Sequence, residues 1–293
     1  MTKRRPMRRR RRFLAAALTI LALALFFIWS QNDLTTRVIE VRSARLPAGF
    51  DGFRISVVSD LHGAQMGPEN ARLLTAVAEQ APDIIAITGD LVDEAEHMAL
   101  VAPLARGLSA IAPTYYVAGN HEWSSHLVRE VWAALRENGV TVLSNTYEVL
   151  ERGGASLVLA GLEDANGYAD QKTLYELTDE IRTDLGDPYV LLLAHRNNKW
   201  PDYVDCRVDL TLCGHAHGGL VRLPFTDGLV GNDRRLFPDH TSGLYELEYG
   251  QLVVSRGLGN NPYTFRLFNR PDLPVVVLRS KEAAGLSGAA DWM

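Results

Sequence analysis

The chain has 293 residues, 47% of them apolar and 22% charged, and a formal net charge of −5. That length holds one large domain or two small ones, and the balance is that of an ordinary globular protein. Eight of the 30 Lys and Arg residues (Lys3, Arg4, Arg5 and Arg8 to Arg12) fall in the first twelve positions with no acid among them, leaving a body of 22 basic and 35 acidic residues at −13. Affinity for nucleic acid comes largely from Lys and Arg set against phosphates, so no nucleic-acid partner is expected of so acidic a body.

Residues 1–12 form the basic segment, and Phe13 to Trp29 (FLAAALTILALALFFIW) is a run broken only by Thr19. Seventeen such residues are at the short end of what spans a bilayer, and the run lacks the polar stripe that a core helix of a soluble domain keeps. The basic residues before the run outweigh Arg37, Arg42 and Arg45 after it, so the positive-inside rule predicts a cytoplasmic N-terminus and a body outside the cytoplasm. No small-x-small site follows Trp29, and Ala22-Leu23-Ala24 falls inside the run, so residues 13–29 read as an uncleaved single-pass anchor. Arg10-Arg11-Arg12-Phe13-Leu14 also matches the pattern of a twin-arginine export signal.

Residues 30–52, mixed and polar with Pro47 and Gly49, read as a linker. A repeating pattern then begins. Arg54 to Ser59 is an apolar strand meeting Asp60-Leu61-His62, and Glu69 to Gln80 follows with helical spacing. Asp83 to Thr88 meets Gly89-Asp90, and Thr114 to Ala118 meets Gly119-Asn120-His121. The period of about thirty residues is that of a βαβ unit, so a mainly parallel sheet is expected. Ligands collect at the carboxyl ends of such strands, which brings Asp60, Asp90 and Asn120 to one edge.

Short strands follow at Val140 to Leu143, Tyr147 to Leu150 and Ser156 to Leu159, then a helix from Gln171 to Thr183. Tyr189 to Ala194 precedes His195, and Val208 to Leu212 precedes Gly214-His215-Ala216-His217. A hairpin of Leu244 to Glu248 and Leu252 to Ser255, turning at Tyr249-Gly250, and a closing strand at Val275 to Leu278 complete two facing sheets with helices outside. Residues 281–293 read as a disordered tail. Cys206 and Cys213 read as buried free thiols, neither a disulfide framework nor a thiolate site.

Singly, each motif is no more than a turn residue after a strand. Together they place Asp60, His62, Asp90, Asn120, His195, His215 and His217 at one sheet edge, a set of oxygen and imidazole donors that suits Zn, Fe or Mn. The blocks D-x-H (Asp60, His62), G-D-x-x-D (Gly89, Asp90, Asp93), G-N-H-E (Gly119 to Glu122), a lone His195 and G-H-x-H (Gly214 to His217) occur in the order of the calcineurin-like metallophosphoesterase family, which this chain resembles from about Phe53 to Leu278.

The resemblance implies a four-layer α/β/β/α sandwich over residues 53–280, preceded by one transmembrane helix. It implies two metal ions (Mn, Zn or Fe), one held by Asp60, His62 and His217, the other by Asn120, His195 and His215, with Asp90 bridging. His121 is then the residue that protonates the leaving oxygen or stabilises charge on the phosphoryl group, while Asp93 and Glu122 orient their neighbours. The sequence departs from the family pattern at Leu220, where Gln is common, and at Arg196-Asn197-Asn198, where Pro-Asp is commoner. Neither position is a ligand, but both loosen any analogy of substrate.

His97, His126 and His240 fall outside the blocks and are expected on the surface. The loop from Arg222 to His240, with Phe225, Asp227, Arg234, Arg235 and Phe237, is a candidate lid in which Arg234 and Arg235 can grip a second phosphate. Ser255-Arg256-Gly257-Leu258-Gly259-Asn260 resembles the closing segment of the family's membrane-associated bacterial branch and reads as backbone support. The expected activity is hydrolysis of a phosphodiester, phosphomonoester or pyrophosphate in a membrane lipid or glycolipid. The alternatives are a soluble extracytoplasmic nucleotide or phosphomonoester as substrate and, in another class, a non-catalytic scaffold.

Overall fold

The computed structural model describes residues 5–223, 227–231, 234–260 and 265–281, the side chains of 5–8 excepted. The first element is a single helix, Arg5–Asn32 (α1), whose stretch Arg9–Asn32 is long and apolar enough to cross a bilayer. Its apolar side chains stand exposed, as a bilayer-facing helix requires and a core helix does not.

The expected linker is corrected in two places. Residues 30–32 continue α1, and Thr35–Ser43 is a strand (β1) that runs parallel to the last strand, from Thr35 opposite Asp272 to Ser43 opposite Ser280. Thr36, Val38, Glu40 and Arg42 face solvent while Arg37, Ile39 and Val41 turn inward, an edge strand with charge on both faces, which a search for apolar runs passes over.

Arg54–Val58 (β2), Ile84–Thr88 (β3), Thr114–Val117 (β4) and Val140–Val142 (β5) form the parallel part of the first sheet. Between them lie Ala71–Ala78 (α2), Met98–Ser109 (α3), Asn120–Ser124 (α4) and Val128–Glu137 (α5). The second sheet holds Thr146–Arg152 (β6), Ala155–Gly161 (β7), Val190–Arg196 (β8) and Leu210–Gly214 (β9), with Leu174–Leu185 (α6) and Trp200–Asp205 (α7) outside it. Helix α6 starts three residues later than its apolar spacing predicts because Thr173 caps it, exchanging hydrogen bonds with Glu176.

Val221–Arg222 (β10) and Gly228–Val230 (β11) make a small ribbon over the sheet edge. The hairpin Gly243–Glu246 (β12) and Gln251–Val254 (β13) joins the second sheet, and Asp272–Ser280 (β14) returns to the first. The sheet orders are β1-β14-β2-β3-β4-β5 and β12-β13-β9-β8-β7-β6.

Alternation along the strands builds three apolar layers. Ile85, Ile87 and Tyr116 pack on Leu73, Leu104 and Val131 of the helices; Ile55, Val57 and Val117 face Leu157, Leu191 and Leu212 of the other sheet; Val158, Leu192 and Val254 meet Leu177 and Ile181 of α6. The result is the expected α/β/β/α sandwich. Cys206 and Cys213 are buried free thiols within its last layer.

Candidate metal centre

Every motif block sits where a strand ends. Asp60 and His62 follow β2, Asp90 follows β3, Asn120 and His121 open α4 after β4, His195 is in β8, and His215 and His217 follow β9. The backbone turns sharply at these points: Asp60, His62, Asp90, His215 and His217 have φ of 51°, 50°, 53°, 67° and 51°. Two glycines allow the strand ends to close in. A Cβ on Gly214 would lie 1.9 Å from Ser59 Oγ and 2.2 Å from Asp60 Oδ2, and one on Gly119 would lie 2.2 Å from Asp90 Oδ1.

The seven donors form two neighbouring clusters. His62 Nε2 and His217 Nε2 lie 3.0 Å apart, with Asp60 Oδ1 3.6 Å from the latter. His195 Nε2 lies 3.0 Å from Asn120 Oδ1, 3.1 Å from His215 Nδ1 and 3.1 Å from Asp90 Oδ2. Asp90 Oδ2 also stands 3.8 Å from His62 Nε2, which puts this one oxygen between the clusters. Ring nitrogens that share one cation stand roughly 3 Å apart. The donor chemistry and the spacing fit metal ions.

The surrounding bonds fix which atoms face inward. His195 Nδ1 lies 2.9 Å from the carbonyl of Thr88 and His62 Nδ1 lies 2.6 Å from Asp93 Oδ1, so each ring turns Nε2 to the centre. Asp60 Oδ1 accepts the His215 N–H and Asp90 Oδ1 the His121 N–H, both at 2.9 Å. Glu122, fully buried, accepts from the N–H groups of Gly119, Asp90, Leu91 and Val92 and so holds the ends of β3 and β4 in register.

Crowding of like groups splits the titrations. Burial and the neighbouring His195 push His215 down to about 3, whereas His195, despite its burial, is raised to about 10 by Asp90. Burial pushes Asp60 up; Asp90 is held well below the carboxylate range because His195 and His62 outweigh its burial. A bound cation favours neutral imidazoles and ionised carboxylates, so binding is coupled to proton release.

His121 lies outside the ligand clusters, with Nδ1 2.8 Å from Asp93 Oδ1. Burial opposes its charge, but the bond to Asp93 and the fields of Asp90 and Asp93 raise it to about 9. Asp93 is held at about 2 against its burial by its bonds to His121 and His62.

Of the outlying histidines, His126 is exposed as expected. His97 instead packs against Gly63 and its Nδ1 accepts the Asp93 N–H at 3.3 Å, while His240 lies between Trp200 and Tyr245, tilted to the first ring and edge-on to the second. Arg234 and Arg235 are both exposed, and Arg235 lines a cleft of about 260 Å³ with His215. The candidate lid is tied down in part, because β10 and β11 pair; Phe225 lies outside the described residues.

The sequence departure at Arg196 has a local cause. Its guanidinium makes two bonds to Asp164, at 2.7 and 2.9 Å, on the wall of a second cleft of about 460 Å³ beside His195. Glu163 and Asp164 were not foreseen as site residues. They follow β7 as the ligands follow their strands, which was the available signal. Glu163 is buried, accepts from Trp123 Nε1 at 3.0 Å, and is pushed up to about 7 by burial and the nearby Glu122. Asn269 and Arg266, also unforeseen, support the site from behind. Asn269 donates to the carbonyls of His217 and Gly219, and buried Arg266 donates to the Gly259 carbonyl at 2.6 Å.

Comparison with known proteins finds phosphoesterase relatives over most of the chain. The metallophosphoesterase YkuE of Bacillus subtilis is 29% identical over 82% of this chain and 84% of its own length. The phosphodiesterase YaeI of Escherichia coli is 29% identical over 92% of this chain and 98% of its own. A transmembrane protein with a metallophosphoesterase domain from Danio rerio is 27% identical over 82% of this chain and 56% of its own. The family model of the calcineurin-like phosphoesterases matches residues 53–219, from β2 through the G-H-x-H block after β9, and the chain belongs to that family.

Proposed function

We propose that this protein is a dinuclear, metal-dependent hydrolase of phosphate esters or anhydrides in a membrane lipid or glycolipid. The observation that carries the proposal is the pair of donor clusters meeting at Asp90 Oδ2, which stands 3.1 Å from His195 and 3.8 Å from His62. Asp60, His62 and His217 would hold one ion, Asn120, His195 and His215 the other, with Asp90 shared.

Such a pair of ions, Mn, Zn or Fe, supplies an activated hydroxide and a clamp on the phosphoryl oxygens. The chain's own groups do the rest. Asp93 holds His121 charged and engages its Nδ1, which leaves Nε2 to carry the proton for the departing oxygen. Arg235, in the cleft beside His215, can pair with a phosphate oxygen; Arg234, its neighbour in the chain, does not line that cleft and is the weaker candidate.

The basic residues that open α1, ahead of its apolar run, support a cytoplasmic N-terminus and a catalytic domain outside the cytoplasm. Arg10 to Leu14 supports twin-arginine export of the folded protein. A soluble extracytoplasmic nucleotide or phosphomonoester is the alternative substrate.

The test uses the full chain, because a body cut at Arg37 would lose the start of β1. Hydrolysis of bis(p-nitrophenyl) phosphate and of p-nitrophenyl phosphate is measured together with metal content. Turnover that a chelator abolishes and Mn or Zn restores is the expected result, and a preference for the diester points to lipid diesters. No bound metal and no turnover would replace the enzyme with a scaffold.

A further inference from the structure

The membrane helix does not end in a free tether. Ser30 Oγ donates to the Arg266 carbonyl at 3.1 Å, and the Gln31 side chain bonds both the N–H and the carbonyl of Arg266. Phe26 packs on Phe268 with ring centroids 4.9 Å apart, and the Arg270 guanidinium sits 4.8 Å over Trp29 while pairing with Asp33. Phe26 is one helical turn before Trp29, about 4.5 Å further along the axis toward the membrane. A ring packed on Phe26 therefore lies at the level where the apolar run is still in lipid.

Phe268 belongs to a larger surface. Leu267 bridges to Val221 of β10, β10 pairs with β11, and Val230 of β11 bridges to Leu236. Neighbouring strands stand about 4.8 Å apart, so these three steps carry a continuous ribbon roughly 14 Å from Leu267 to Leu236. Among the described residues, ten large hydrophobic side chains outside α1 are exposed, and five of them lie on this ribbon or its ends: Leu223, Leu236, Phe237, Phe265 and Phe268. Such a concentration exceeds the scatter of single apolar residues normal for a soluble surface. Arg234 and Arg235, flanked in the chain by Asp233 and Asp239, adjoin Leu236 and Phe237, so guanidinium groups that can meet lipid phosphates stand beside side chains that can enter the leaflet.

We infer that the ribbon from Leu267 to Phe237 is a second membrane contact, continuous with α1, that rests on the bilayer and holds the cleft beside His215 open at headgroup level. Leu236 and Phe237 form one wall of that cleft and His215 another. A lipid can thus present its headgroup phosphate to the centre while its acyl chains stay in the leaflet. This last step rests on the phosphoesterase reading; the contact itself does not.

The experiment places an environment-sensitive fluorophore on the full chain in nanodiscs of phosphatidylcholine and phosphatidylglycerol. Cys206 and Cys213 are buried, so a label goes to an introduced thiol at Phe237→Cys. The reference is Ser156→Cys, exposed near the start of β7, at the sheet end opposite the ligands. The Phe237 probe is expected to be blue-shifted, quenched by nitroxide lipid, and severalfold less quenched by aqueous iodide than the Ser156 probe. Equal iodide quenching at both sites would overturn the contact, and Leu223→Cys repeats the measurement should the first variant misfold. Turnover of the soluble diester by the unsubstituted, unlabelled chain in the same nanodiscs keeps the two readings apart. An immersed probe without turnover sinks the enzyme reading alone, and turnover with an exposed probe sinks the membrane contact alone.

Discussion

Replacing Asp93 by Asn tests how the centre is aimed. One oxygen of Asp93 receives His62 Nδ1 at 2.6 Å and His121 Nδ1 at 2.8 Å, so a single side chain orients a ligand ring and the proposed acid. The amide keeps an oxygen in place but loses the charge, and its NH₂ group cannot accept. Loss of such an outer partner typically weakens metal binding about 10–100-fold, or about 1.4–2.7 kcal/mol. His121 loses part of the field that raises it to about 9, so the alkaline limb of the rate profile, where the acid loses its proton, moves to lower pH. Both effects are readable by calorimetric titration with Mn or Zn and by the pH dependence of diester hydrolysis at saturating metal. Unchanged affinity together with an unchanged pH profile would refute the assignment of Asp93 as the group that positions both rings.

His121→Ala is expected to retain full metal content and lose about 10²–10⁴ in kcat, checked by elemental analysis and steady-state rates; equal loss of metal would make it a ligand instead. Gly214→Ala drives a Cβ to within 1.9 Å of Ser59 Oγ and should lower both metal content and melting temperature, whereas Gly154→Ala, with open space around it, should spare the metal. Glu163, whose folded value of about 7 lies above the ordinary 4.5, is bound to its proton more tightly in the folded state. Stability from it is complete below pH 4.5 and lost as pH rises through 7, so Glu163→Gln should stabilise at pH 8 by up to about 3 kcal/mol and by nothing near pH 4.5. Thermal melts at both pH values check this, and an offset independent of pH would contradict it.

The strand-end rule made most of the centre readable in the sequence. Asp60, Asp90 and Asn120 each follow an apolar run, and a parallel sheet brings the ends of its strands to one edge whatever lies between. Strand β1 is not readable because Arg37 breaks its inward face and Val38 its outward one, and its partner β14 is more than two hundred residues away in the chain. The bond between Arg196 and Asp164 escaped for a similar reason: ion pairing depends on which loops meet, and neither residue carries a local signature. The packing of His97 depends on Gly63, where any Cβ would lie 2.3 Å from the ring, and the two are thirty-four residues apart in the chain. The docking of Gln31 on Arg266 is likewise a property of the closed fold alone.

The left-handed turns at Asp60, His62, Asp90, His215 and His217 carry a further consequence. L-residues with side chains hold that conformation at a cost of about 1–2 kcal/mol each, and five of them together approach the whole folding stability of an ordinary domain, about 5–15 kcal/mol. Buried donors of like kind, aimed at one another, add their repulsion to that strain. Ions that bind only the folded chain relieve the repulsion and hold the turns closed, so loading and folding become a single equilibrium. A chelator is then expected to lower the melting temperature of this protein as well as its turnover.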